Sequence, residues 1–147
     1  SSAIENPNLI TEIASGFGSQ AVIISLDVRE NNSNELMIHS GQRASAEVLE
    51  TFAPKIEGLG GGEILLQNVE KDELMKGMDL KSIEAVAKMT NLPIIASSGC
   101  GSVDDAMSAL RSGASAIAAG AVFQFTQLTP LIVREKLREA NFQTRVC

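Results

Sequence analysis

The chain contains no tryptophan, no tyrosine and only five phenylalanines among 147 residues. A platform that stacks unpaired bases needs aromatic faces, so a single-stranded nucleic-acid partner is not expected. Basic residues are also in the minority: 12 Lys and Arg against 18 Asp and Glu leave a formal charge of −6. That balance disfavours a phosphate backbone as partner. Small anions remain possible ligands, because a local nest of N–H groups acts independently of net charge. The two cysteines, Cys100 and Cys147, are far apart and lack metal-ligand spacing, and the single histidine, His39, makes a Ser-His-Asp triad improbable. A reduced, cytoplasmic protein without metal or other cofactor is expected. No apolar run approaches the ~20 residues of a membrane span, and no basic-then-apolar leader opens the chain, so no membrane partner is expected.

Apolar residues at 44% and charged residues at 20% describe a globular chain. One domain spanning residues 1–147 is expected. Four short apolar runs dominate it: Ala21–Leu26, Glu63–Gln67, Leu92–Ser97 and Ala116–Val122. Each is followed by a helical pattern. Near-continuous hydrophobic strands alternating with helices build parallel sheets. Polar or glycine residues collect at the C-terminal ends of the runs: Asp27, Gln67-Asn68, Ser97-Ser98-Gly99 and Gly120. In a (β/α)8 barrel that end carries the active site. The expected fold class is α/β, a (β/α)8 TIM barrel, but four strands make only half of one. The chain opens on a helix rather than a strand and on Ser1 rather than Met, so a piece of a longer protein is expected.

Asn6-Pro7 reads as a helix start, with Leu9, Ile10, Ile13 and Ala14 as the apolar stripe. Asn31-Asn32-Ser33-Asn34 reads as a turn, and Glu35–His39 as a returning strand of a hairpin above the barrel mouth. A helix over Ser45–Leu59 is expected, kinked or broken at Pro54. Further helices are expected over Asp79–Thr90, burying Leu80, Ile83, Val86 and Ala87; from a Ser102/Asp105 capping box to Ser112; and from Thr129-Pro130 to Ala140.

Strand periodicity puts Asp27 on one face with Ser25 and Ile23, Gln67 with Leu65 and Glu63, and Ser97 with Ile95. Asp27, at a strand tip, is the candidate for acid–base work; the plainer reading is a turn cap. Two glycine-bearing loops, Ser98–Ser102 and Gly120-Ala121, follow the last two strands, where barrels bind phosphate. Glycine there can also serve only to turn the chain. Glu63 is an inward carboxylate at the opposite end, either one of a charged ring or a solvated strand start. Cys100 reads as a small loop residue, and Arg134–Glu139 as a solvated helix face.

Several segments, in order, resemble the cyclase subunit of imidazole glycerol phosphate synthase. They are Ser2–Ile10, Phe17–Val28, Gly61–Leu66, Asp72 with Met75–Leu80, Pro93–Ser102 and Gly113–Phe123. The resemblance implies the C-terminal half of the barrel, with the helix after strand four and then strands five to eight. It implies an enzyme, a lyase-type cyclase of histidine biosynthesis. Ammonia from a glutaminase partner would pass through the barrel and react with a bis-phosphorylated ribulosyl nucleotide. The products would be imidazole glycerol phosphate and aminoimidazole carboxamide ribotide. Asp27 would be the second catalytic aspartate. Asp72, Gly99, Gly120 and Ala121 would hold one phosphate, and Ser40, Gln67 and Ser97 would surround the reacting substrate. Glu63 would stand at the ammonia gate. The first catalytic aspartate and most of the other phosphate site would belong to a complementary N-terminal half, with self-association as the alternative.

Departures from the family pattern point to a divergent member. Glu73 stands where the family has glycine after the aspartate, Ser98 replaces a glycine, Gln67 a small hydroxyl residue, and Ala121 a serine. Two alternatives therefore stay open: a paralogue delivering ammonia to another acceptor in surface-polysaccharide sugar synthesis, and a non-catalytic half-barrel.

Overall fold

The computed structural model describes residues 1–29 and 35–145. The chain runs through α1 (Ser2–Glu5), α2 (Asn8–Phe17), a 3-10 turn (Ser19–Ala21), β1 (Ile23–Arg29), β2 (Glu35–Ile38), β3 (Arg43–Val48) and α3 (Leu49–Gly58). It continues through β4 (Glu63–Asn68), α4 (Leu80–Met89), β5 (Ile94–Ser97), α5 (Val103–Arg111), β6 (Ala116–Ile117), α6 (Ala121–Phe125) and α7 (Pro130–Glu139). One six-stranded sheet has the order β3-β2-β1-β4-β5-β6. The pairs β1–β4, β4–β5 and β5–β6 are parallel, and the β2–β3 hairpin adds antiparallel strands beyond β1. This is half of a (β/α)8 barrel, and the sheet does not close on itself.

Two-residue alternation decides which side is covered. Ile24, Leu26 and Val28 of β1, Ile64 and Leu66 of β4, and Ile94 and Ala96 of β5 are buried. They pack in one cluster with Ile10 of α2, Phe52 and Ile56 of α3, and Ile83 and Val86 of α4. Each full burial of such a side chain is worth about 1.5–3 kcal/mol. The alternate positions form the other face, where Ile23 is 53% exposed and Ser25 is exposed. No helix of the described residues is long and apolar enough to cross a membrane.

Several expectations need correction. Residues 45–48 are strand rather than helix: Arg43–Val48 completes a ladder with β2, and the helix starts only at Leu49. Glu47 marks the change, since its carboxylate accepts hydrogen bonds from Thr51 Oγ1 (3.0 Å) and Lys55 Nζ (3.1 Å). Those bonds hold its carboxyl below the usual carboxylate range. Pro54 does not break α3, which is continuous through it. The last strand ends at Ile117, not Val122. It is paired on one side only, and its alanine- and glycine-rich continuation has low strand propensity. Asn6 does not cap α2; it ends α1, and Pro7 stands at the cap position. Leu80 is 37% exposed, while Ser82 is buried in its place. The returning strand Glu35–Ile38 is present; it pairs with β3 on one side and, on the other, with Asp27–Arg29 at the C-terminal tip of β1. The expected turn at Asn31–Asn34, like Cys147, lies outside the described residues.

The loop after β4 is held from below by a buried polar knot. Asp79 caps α4 by accepting from the Ser82 amide (3.2 Å), and its other oxygen accepts from Asn68 Nδ2 and Ser82 Oγ (both 2.7 Å). Asn68 Oδ1 in turn accepts from the Glu70 amide at 2.9 Å. Losing both a cap and the partner of a buried amide side chain is costly. Asp79→Ala is expected to destabilise the protein by about 2–4 kcal/mol in denaturant unfolding. A change below about 0.5 kcal/mol, the level of ordinary surface substitutions, would contradict this role.

Candidate active site

Parallel register brings three of the predicted residues into one row. Asp27 is the partner of Gln67, and Gln67 of Ser97, on three adjacent strands. All three lie on the face away from the helix-packed core. Gln67 Nε2 donates to Asp27 Oδ1 at 3.1 Å, and Ser25 Oγ to the same oxygen at 3.4 Å. Among the described residues the other carboxylate oxygen, Oδ2, has no hydrogen bond and no cation pairs with Asp27. A carboxylate oriented through one oxygen keeps the other for a proton.

Beyond the tips of β5 and β6 lies a cleft of about 270 Å³, lined by Asp72, Glu73, Met75, Ser97–Cys100 and Ala118–Ala121. It gathers Asp72, Ser97, Gly99, Gly120 and Ala121, which the sequence placed in two groups. Ser97 belongs to both the row and the cleft. The two loops are tied together: the Gly77 amide donates to the Gly99 carbonyl at 2.9 Å. Gly99 has φ +81°, and a Cβ there would collide with the Gly77 carbonyl oxygen, so the position requires glycine. Among the described residues the amides of Gly99, Gly120 and Ala121 donate to no backbone carbonyl. The start of α5 is different, because Asp105 accepts from the Gly101 amide (3.0 Å) and the Ser102 hydroxyl (2.9 Å). The donors left for a ligand are therefore those of the two loops.

Two positions expected to be glycine in the family have an unusual backbone. Glu73 has φ +60° and Ser98 φ +72°, the left-handed conformation that favours glycine. Glu73 is exposed and Ser98 is buried, and both line the cleft. Sequence reasoning treats Ser98 only as a lost glycine; a hydroxyl in a glycine loop was the signal available.

Ser40 and Glu63 stand apart. Ser40 lies in the exposed β2–β3 turn, three residues past Met37, the partner of Asp27. It does not line the cleft and makes no hydrogen bond to Asp27, Gln67 or Ser97 among the described residues. Glu63 begins β4 opposite Ile23, about 13 Å below Gln67 at ~3.3 Å per residue. A basic partner is not supplied by the described residues, where Glu63 makes no ion pair. Cys100 borders the cleft. Burial, and then the negative charge of Asp105, pushes its thiol above the ordinary range.

Comparison with known proteins assigns the chain to a family. A family model described as "Histidine biosynthesis protein" matches residues 1–129. The chain belongs to this family. Its relatives include proteins named imidazole glycerol phosphate synthase subunit HisF. That of Beutenbergia cavernae is 35% identical over 97% of this chain and 59% of its own length. That of Thermobifida fusca is 37% identical over 97% and 59%, and that of Dictyoglomus turgidum 37% identical over 99% and 58%. The chain thus spans about three-fifths of the length of the curated relatives it matches.

Two outcomes follow for the cleft. Glu73→Gly is expected to raise stability by about 0.5–1 kcal/mol in denaturant unfolding, by relieving the left-handed backbone; a loss of stability would contradict that conformation. Because its thiolate is disfavoured, Cys100 is expected to react with iodoacetamide at pH 8 more slowly in the native protein than in denaturant. Peptide mapping by mass spectrometry reads the rate, and faster labelling in the native state would contradict it.

Proposed function

We propose that this half-barrel works as part of an imidazole glycerol phosphate synthase cyclase, a lyase-type enzyme of histidine biosynthesis. The observation that carries the reading is the row Asp27–Gln67–Ser97 running into a cleft rimmed by unpaired loop amides. One carboxylate for proton transfer beside one nest for an anion fits ring closure on a phosphorylated substrate. Asp27 exchanges protons with the substrate during ring closure, oriented by Gln67. Gly99, Gly120 and Ala121 hold one phosphate beside Asp72, and Ser40, Gln67 and Ser97 surround the reacting atoms. Glu63, at the far end of the same face, stands at the entry for ammonia from a glutaminase partner. The substrate is the phosphoribulosyl aminoimidazole carboxamide nucleotide, and the products are imidazole glycerol phosphate and aminoimidazole carboxamide ribotide.

The uncovered inner face supports a further requirement. Ile23 on that face is 53% exposed, and among the described residues, residues 23–26 of β1 have no strand beside them on the β2 side. Open edges and bare apolar faces seek partners. A complementary N-terminal half-barrel, carrying the other catalytic carboxylate, covers this face in the working enzyme; self-association is the alternative.

A second reading is favoured by Glu73 and Ala121. The first brings a carboxylate to the cleft and the second a methyl group that donates nothing. Both weaken a phosphate site and favour a paralogue that passes ammonia to another acceptor, or a half-barrel without catalysis.

Asp27→Asn in the full-length protein is expected to lower ammonia-dependent turnover of the nucleotide by about 10²–10⁴-fold, with its affinity retained. Turnover retained in the variant would contradict the assignment of Asp27. Absence of turnover in the wild-type protein, with glutaminase binding intact, would support the second reading.

A further inference from the structure

Ser98 carries a hydroxyl without a protein partner at a backbone position that favours glycine. It is 7% exposed, and its hydroxyl makes no hydrogen bond with a described residue. The oxygen is not among the fully buried unpartnered atoms, so it keeps access to the space that the residue lines. The backbone, at φ +72°, lies in the left-handed region, which disfavours every side chain with a Cβ. A hydroxymethyl group contributes little apolar burial to offset that conformation. Its surroundings supply the missing partner's identity. Ser98 lines the cleft between the β5–α5 loop and the start of α6, where the amides of Gly99, Gly120 and Ala121 also lack backbone acceptors. Several donors without acceptors around one space match a ligand group with several acceptor oxygens.

We infer that Ser98 is a phosphate-binding residue, its hydroxyl donating to an oxygen of the anion held by the two glycine loops. The inference rests on the reading of this cleft as a phosphate site. Ala121 lines the same cleft with a methyl group, so Ser98 is the side-chain hydroxyl donor available between these two loops apart from Ser97 on the strand below. Asp72 and Glu73 border the space and repel a dianion. A short neutral donor inside the cleft therefore matters more here than it would in a cationic pocket.

The test is calorimetric titration of inorganic phosphate into the full-length protein and its Ser98→Ala and Ser98→Gly variants. Ser98→Ala keeps the backbone constraint and removes the hydroxyl; Ser98→Gly removes both. Each variant is expected to bind phosphate about ten-fold more weakly, as for a lost hydrogen bond to a charged group. Ser98→Gly is also expected to melt at a higher temperature than Ser98→Ala without phosphate. Wild-type affinity retained in either variant would overturn the role of Ser98 and leave the cleft reading standing. No saturable binding by the wild-type protein would overturn the cleft reading, and this inference with it.

Discussion

The parallel register of β1, β4 and β5 is the constraint on which the rest of the structure depends. In a parallel sheet, residues at equal height on adjacent strands are neighbours, and each strand sends alternate side chains to opposite faces. Helices cover one face, so the apolar series Leu26, Leu66 and Ala96 is fixed there. The series one residue further along, Asp27, Gln67 and Ser97, must then stand together on the other face. A slip of one residue in any strand would bury a polar tip and expose a core residue. The core thus enforces the polar row without touching it.

The cleft depends on the same sheet through its loops. Asn68 and Asp79 hold the loop after β4 from within the protein, and the Gly77–Gly99 hydrogen bond joins it to the loop after β5. Backbone conformation there is specialised: Glu73, Met75, Gly77, Ser98 and Gly99 all have positive φ. Side chains with a Cβ pay for that geometry at three of these positions. The amides of Gly99, Gly120 and Ala121, residues that line the cleft, are left without backbone acceptors among the described residues, which is what an anion requires.

Most of this was legible from residue pattern. The continuous apolar runs gave the parallel strands, period-2 parity gave the shared face, and Ser102/Asp105 and Thr129 gave the caps seen at α5 and α7. The failures lie where local signal is overruled by pairing. Residues 45–48 have helical composition but complete a hairpin ladder, and Pro54 sits in a helix that packing of Phe52 and Ile56 sustains. Residues 118–122 are apolar enough for a strand but have no neighbour beyond β6. The Asp27–Gln67 hydrogen bond and the unpaired loop amides need register and loop geometry together, and composition carries neither. Ser98 was visible as a departure, but the lack of a protein partner for its hydroxyl was not.

Strand tips that serve one ligand should report it together. Backbone amide NMR shifts of the full-length protein, followed during titration with inorganic phosphate, test that most directly. The account predicts that Gly99, Gly120 and Ala121 move along one common saturation curve while residues at the opposite end of the sheet, such as Glu63, stay still. Shifts confined to one loop, or scattered over surface lysines without saturation, would contradict it.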